Sequence, residues 1–371
     1  MAKNTELPYA AAAVFLFSAC HKLLGLLILY FATGRSLGLL LSFGDTPSYL
    51  RIAQSFPLPY SDPAMLASTI HYPLYPMTIY LVNLLANNWI ASGYLSIIGI
   101  SSLASVVFYC IARKFSSHAF SLALLSSCLP PKWVQVSLYP LSEPVLMLFL
   151  LLAVLTHLDR RYCWSYFCLS ILLLSRPLGA IFLMSFLAYD VFHERRYKHF
   201  IYAAIATLPF IFFHGYLYVL FGKILLFQHA DKGGTWGGSI FSWPLAGLLS
   251  GLVDAQLTVA RKLYTTIEFL LYCCVVVAAV KSLKDGMASL FSFIIIPYFA
   301  FTLFLKGDNH NWWMLSLPRF LLPLAPFGFL YYFCAPRHKY FYPALITASI
   351  LLGYAYIVGS HYMHIQYGPY A

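Results

Sequence analysis

Long apolar runs recur from one end of this chain to the other, and they limit what it can fold into more than any other feature. "MLFLLLAVL" (147–155) and "FLLYCCVVVAAV" (269–280) are two of them. With their flanks, several reach the roughly 20 residues that carry a helix across a bilayer. Only 9% of residues are charged and 61% are hydrophobic, whereas soluble domains are about 25% charged. Lipid leaves no backbone polar group unpaired, so such runs must be helices. The expected class is therefore all-α: a polytopic transmembrane helical protein, read as one integral membrane domain over 1–371.

The first 32 residues carry an apolar stretch too long for a secretory leader, and it reads as the first span. Lys22 lies in its middle and is expected to face the bundle or snorkel. The eight cysteines fall in or beside apolar runs with no CxxC pair, so they read as small core residues. The net charge of +11 suits anionic lipid or a phosphate-bearing ligand, and no basic tract of nucleic-acid type is present.

Five short links are basic: 112–114, 157–162, 193–199, 281–286 and 335–340. The positive-inside rule puts them, with the N-terminus, on the cytoplasmic side. About eleven spans satisfy this: 8–32, 91–111, 116–131, 143–157, 162–175, 177–192, 200–221, 264–280, 287–305, 318–334 and 341–359. The pair 162–175 and 177–192 is broken at Arg176-Pro177, since proline ends or kinks a helix. "HYPLYPMTIYLVNLLANN" would spoil the alternation if it crossed, so it is expected to lie on the outer surface. The first extracytoplasmic segment, 33–90, then carries surface helices, and a long outer loop covers 222–263.

Most of the remaining polar chemistry falls on the extracytoplasmic side. "GDTPSYLRIAQSF" reads as a short amphipathic helix with Tyr49, Ile52, Ala53 and Phe56 on one face. Asp45 stands at its start, either as a cap or as a chemical group. Asp62, before a proline, reads as a turn residue. His71 ends the loop before "YPLYP", where it can also meet a phosphate or sugar. Glu143 opens a helix at "SEP", a position that favours the helix dipole and also puts an acid at membrane depth. Arg176 and Arg319 sit at outer ends of spans, where arginine either snorkels or grips phosphate. Lys132, Lys306, Arg261 and Lys262 add positive charge there. The glycine-rich stretch holding Gln228 and Trp236 lacks P-loop spacing and reads as an outer loop.

The order of "GD" in the first outer loop, "PLYP", "YPLSEPVLMLFLLL", "SRPLG", "FQ" followed by "W", and "SLPRFLLPLAPF" resembles the GT-C glycosyltransferases. It is most similar to PIG-V-type mannosyltransferases and their prokaryotic relatives, from about Gly44 to about Pro326. Gly44 stands where those relatives often carry Trp, and His71 replaces an aromatic residue. The resemblance implies an inverting enzyme that moves a sugar, mannose above all, from a polyprenyl-phosphate donor to a hydroxyl of a lipid, glycan or protein acceptor. It implies Asp45 as the base and matches Glu143 and Arg319 to the family's motifs; Arg319 with Arg176 is expected on the donor phosphate. His71, Glu143, Tyr49, Gln228 and Trp236 would orient the substrates. No cofactor is required by this reading; a divalent cation, if used, would sit among Asp45, Asp62 and Glu143. The rival classes are a transporter or flippase of lipid-linked substrates and another lipid-linked transferase. A transporter would want charge through the bilayer and internal repeats, and neither is evident.

Overall fold

The computed structural model describes residues 6–40, 45–60, 71–222, 243–253, 258–284, 286–305, 317–333 and 340–367. Among them every regular element is a helix. In chain order these are α1 (Glu6–Thr33), α2 (Leu37–Leu40), α3 (Thr46–Gln54), α4 (Leu74–Ala86), α5 (Trp89–Ala112), α6 (Ala119–Cys128), α7 (Pro131–Val136) and α8 (Glu143–Leu158). They continue as α9 (Tyr162–Leu173), α10 (Gly179–Ala188), α11 (His199–Phe221), α12 (Ala246–Val253), α13 (Val259–Lys281), α14 (Gly286–Leu303), α15 (Ala325–Phe333) and α16 (Phe341–Tyr367). A π-helical turn, Tyr189–His193, extends α10, and a 3₁₀ turn, Leu322–Leu324, leads into α15.

Five described helical stretches are long and apolar enough to cross a membrane: Leu7–Thr33, Trp89–Ala112, His199–Phe221, Arg261–Lys281 and Phe341–Ser360. Shorter apolar helices accompany them, Glu143–Leu158, Tyr162–Leu173 and Gly179–His193 among them. Large side chains such as Phe31, Phe212, Val219 and Leu271 face outward, as they would toward lipid. The interior is partly built from small polar residues. Ser92, Ser96, Ser101, Ser102 and Ser105 of α5 are all buried, which lets neighbouring backbones approach. α5 packs against α1, α4, α6 and α8 and forms the centre of the bundle. Lys22 is fully buried and turns to Ser18 of its own helix, so it faces the interior rather than the surface.

The expected break at Arg176-Pro177 is present between α9 and α10. Its tightness rests on Gly179, where a methyl group would stand 2.9 Å from the Leu172 carbonyl oxygen and 3.0 Å from Leu173 Cα. α4 has 13 residues, about 20 Å at 1.5 Å per residue. That is short of the roughly 30 Å hydrocarbon core. Leu81, Leu84 and Leu85 project outward from it.

Charge is separated along the bundle. Lys114 Nζ meets Asp159 Oδ1 at 2.5 Å, joining the first two basic links. Arg196 lies 4.5 Å over the Tyr162 ring and joins the third to the second. His193 meets Ser289 Oγ at 3.1 Å, and His118 packs 5.3 Å from Tyr342. These contacts, in or beside the described parts of the basic links, gather those parts at one end. The residues singled out at helix starts and breaks occupy the other.

Candidate functional site

Five side chains from five separate stretches meet at that second end. Asp45 is the N-cap residue of α3, yet its carboxylate makes no capping bond. It turns inward, and Arg319 Nη2 donates to its Oδ2 at 2.8 Å. His71 Nε2 stands 3.6 Å from its Oδ1. Glu143, the first residue of α8, is 4% exposed and accepts at Oε1 from Arg176 Nη1 at 2.6 Å and from Arg319 Nε. Arg319 thus bridges the two carboxylates. The Arg176 guanidinium also lies over the Phe320 ring, 5.9 Å from its centroid.

The local sequence explains the convergence. α3 is amphipathic, with Thr46, Tyr49, Ile52 and Ala53 buried, so it lies flat on the bundle with Asp45 at its inner edge. Tyr60, Tyr72, Phe213 and Leu217 form a small apolar cluster with Ile52 that seats this segment on α11. The Tyr216 hydroxyl fastens it by donating to the Pro59 carbonyl at 2.6 Å. The Leu74 amide donates to the Leu174 carbonyl at 3.2 Å, which holds the His71 turn against the break that carries Arg176. Tyr49 stands between the parts. Its ring packs edge-on to His71 at 4.9 Å, and its hydroxyl donates to Ser142 Oγ at 2.8 Å, one residue before Glu143.

Burial pushes the Asp45 carboxyl upward, but Arg319 and His71 beside it outweigh that and hold it well below the usual carboxylate range. It is therefore an anion, and a weak base while Arg319 holds it. Burial pushes the Tyr49 phenol up, so it stays neutral.

Two polar atoms of the cluster are buried without a partner among the described residues: His71 Nδ1 and Glu143 Oε2. Lys132, the second residue of α7, lies within electrostatic reach of Arg319 and Glu143. It forms no ion pair among the described residues, which makes it an open cation beside an otherwise balanced cluster of two acids and two arginines. Among the described residues no group of three or more His, Cys, Asp or Glu side chains is placed to hold a metal ion.

No known protein family, curated protein or solved structure matches this chain.

Asp45, Tyr49, His71, Glu143, Arg176 and Arg319 are brought together as sequence reasoning grouped them. One expectation changes in detail: both arginines are already engaged by carboxylates, so neither stands ready for a phosphate alone. Gln228, Trp236 and Asp62 lie outside the described residues. Sequence reading missed Glu268, buried at 5% exposure on α13. The signal was there, an acid a turn inside an apolar span. It also missed the buried Asp190, which His157, His199 and Tyr166 surround near the basic end.

Proposed function

We propose that this chain is a membrane glycosyltransferase of about eleven spans. In this reading it moves a sugar from a polyprenyl-phosphate donor to an acceptor hydroxyl on the extracytoplasmic side. The observation that carries the proposal is the Asp45–Arg319–Glu143–Arg176 cluster, with His71 and the open cation Lys132, at the end of the bundle away from the basic links. The positive-inside rule would put that end outside.

The chemistry asks for three things. A lipid-linked sugar phosphate brings one negative charge, and more develops on its bridging oxygen as the bond to the anomeric carbon breaks. Preorganised cations stabilise that charge, and Lys132 and Arg319 would supply them. The acceptor oxygen attacks the anomeric carbon from the opposite face and forms the new bond while the lipid phosphate leaves with the electron pair. Asp45 takes the proton of the acceptor hydroxyl.

The resting pairing supports an ordered mechanism. Arg319 holds Asp45 weakly basic until a phosphate competes for the guanidinium. Once Arg319 turns to the phosphate, Asp45 loses its partner and becomes a better base at the moment a donor is present. Glu143, holding both arginines, would keep them positioned. One displacement inverts the anomeric carbon and needs a single base, unlike the carboxylate pair of glycoside hydrolysis.

The test is a transfer assay on purified protein in lipid nanodiscs, with radiolabelled decaprenyl-phosphoryl mannose, or its glucose counterpart, and a membrane-lipid extract as acceptor. Label should move to a new lipid product with the wild-type chain and fall by at least about 100-fold with Asp45→Asn, as loss of a general base does. Normal turnover by Asp45→Asn would remove the assignment of the base. Absence of binding to any polyprenyl phosphate would remove the reading as a whole.

A further inference from the structure

Glu268 poses a problem that the Arg319 cluster does not solve. It sits on α13, inside the apolar stretch Arg261–Lys281, and is 5% exposed. Neither carboxylate oxygen completes a hydrogen bond among the described residues. A buried carboxylate without partners is costly, and at membrane depth such a group points to function. Its neighbours are also unsatisfied. The hydroxyls of Tyr264 and Tyr272, one turn to either side on the same helix, are buried and unbonded. Tyr264 lies beside the carboxylate and packs against Tyr356 of α16, ring centroids 4.9 Å apart. Gln135 of α7, 2% exposed, bonds to the same helix α16 that Tyr264 packs against. Its Nε2 donates to Ser360 Oγ at 3.0 Å and its Oε1 is left over.

Lys132 connects this cluster to the first. It lies three residues before Gln135 and within electrostatic reach of Glu143, Arg319, Glu268 and Arg261. Tyr272 also neighbours Tyr298, which in turn neighbours Arg176 and Glu143. The charges of the two clusters therefore act on one another through Lys132.

The chemistry selects the ligand. Lys132 shares the field of Glu268, which disfavours a cationic headgroup there. The carboxylate disfavours a phosphate. What remains is a neutral group that both donates and accepts several hydrogen bonds and offers an apolar face to aromatic rings. Adjacent hydroxyls of a sugar ring can donate to the two oxygens of one carboxylate, while phenols and an ammonium serve the ring's other oxygens.

We infer that Glu268, with Tyr264, Tyr272 and Gln135, forms a sugar-hydroxyl subsite beside Lys132 that takes the hexose of the lipid-linked donor. This rests on the transferase reading and adds to it the place where the sugar is recognised.

The experiment compares binding of decaprenyl phosphate with that of decaprenyl-phosphoryl mannose and its glucose counterpart to purified protein in nanodiscs. The better of the two sugar-bearing lipids should bind the wild-type chain at least about tenfold more tightly than the bare phosphate, the range of one hydrogen bond to a charged group. Glu268→Gln, which keeps the shape, should erase most of that difference and should not weaken decaprenyl phosphate binding. Tyr272→Phe should reduce the difference by a few-fold. If the sugar adds nothing in the wild type, or its full increment survives Glu268→Gln, the subsite is overturned while the phosphate reading stands. A higher melting temperature of the variant would not rescue it. If neither lipid binds the wild type, the transferase reading falls and the subsite with it.

Discussion

Arg319 Nη2 donates to Asp45 Oδ2 at 2.8 Å across 274 residues of chain, while its Nε reaches Glu143. One guanidinium therefore ties the surface helix α3 to the start of α8. Lysine offers a point charge in place of this fork. Arg319→Leu should destabilise the protein by about 3–5 kcal/mol, because Glu143 and Asp45 are left as adjacent anions. Arg319→Lys should recover part of the stability and little of the activity. Combining Arg319→Leu with Glu143→Met should restore part of the melting temperature, since Arg176 then loses its partner, and no transfer. Thermal unfolding in detergent, read beside the transfer assay, separates these outcomes.

The Asp45 pair also sets an acid limit. Its folded carboxyl lies below the ordinary value of about 3.9, so the pair's contribution is fully present above that value and is lost as pH falls through the depressed one. Melting temperature should be insensitive to Asp45 between pH 8 and 5. Asp45→Asn should flatten the fall that the wild type shows below about pH 4. An equal effect of the substitution at pH 2 and pH 8 would contradict the pairing.

Tyr49 is a positioning residue, acting through Ser142 and His71. Tyr49→Phe keeps the ring contact with His71 and removes the donor to Ser142 Oγ, at a cost of about 1–2 kcal/mol. Transfer should weaken mainly through a higher KM for the donor, with kcat changed little.

Gly179 is the close-packed point of the α9–α10 break. Gly179→Ala would drive a methyl group into Leu172 and Leu173 and should cost about 1–3 kcal/mol, as overpacking does. Because the break carries Arg176, donor affinity should fall as well, whereas Gly359→Ala, at a helical glycine with open space around it, should leave both unchanged.

Sidedness is open to chemical labelling. In a variant free of native cysteines, a cysteine at the exposed position Gln54 should react with an impermeant maleimide on intact cells. One at the exposed position Lys198 should react only after the membrane is opened. The reverse pattern would put the Arg319 cluster on the cytoplasmic side.

The helical membrane class was legible because apolar runs leave the backbone no other solution. Asp45, Glu143, Arg176 and Arg319 were legible because each charge stands where an apolar run begins or ends, and such places are few. Who pairs with whom was not legible: Arg319 and Asp45 are distant in sequence, and only the fold brings them together. Whether Asp45 capped α3 was open from its position, and the answer lay in Arg319 rather than in α3. Glu268 and Asp190 were hidden for another reason. Each sits inside an apolar run, where hydropathy absorbs one acid, and only burial reveals what surrounds it.

The most direct measurement is an electron cryo-microscopy structure of the protein in nanodiscs with decaprenyl phosphate. The account predicts phosphate density within hydrogen-bond distance of Arg319 and Lys132, with the Asp45–Arg319 distance lengthened beyond 2.8 Å. Phosphate bound instead among Arg160, Arg161, Arg195 and Lys198, with the Arg319 cluster unchanged, would contradict it.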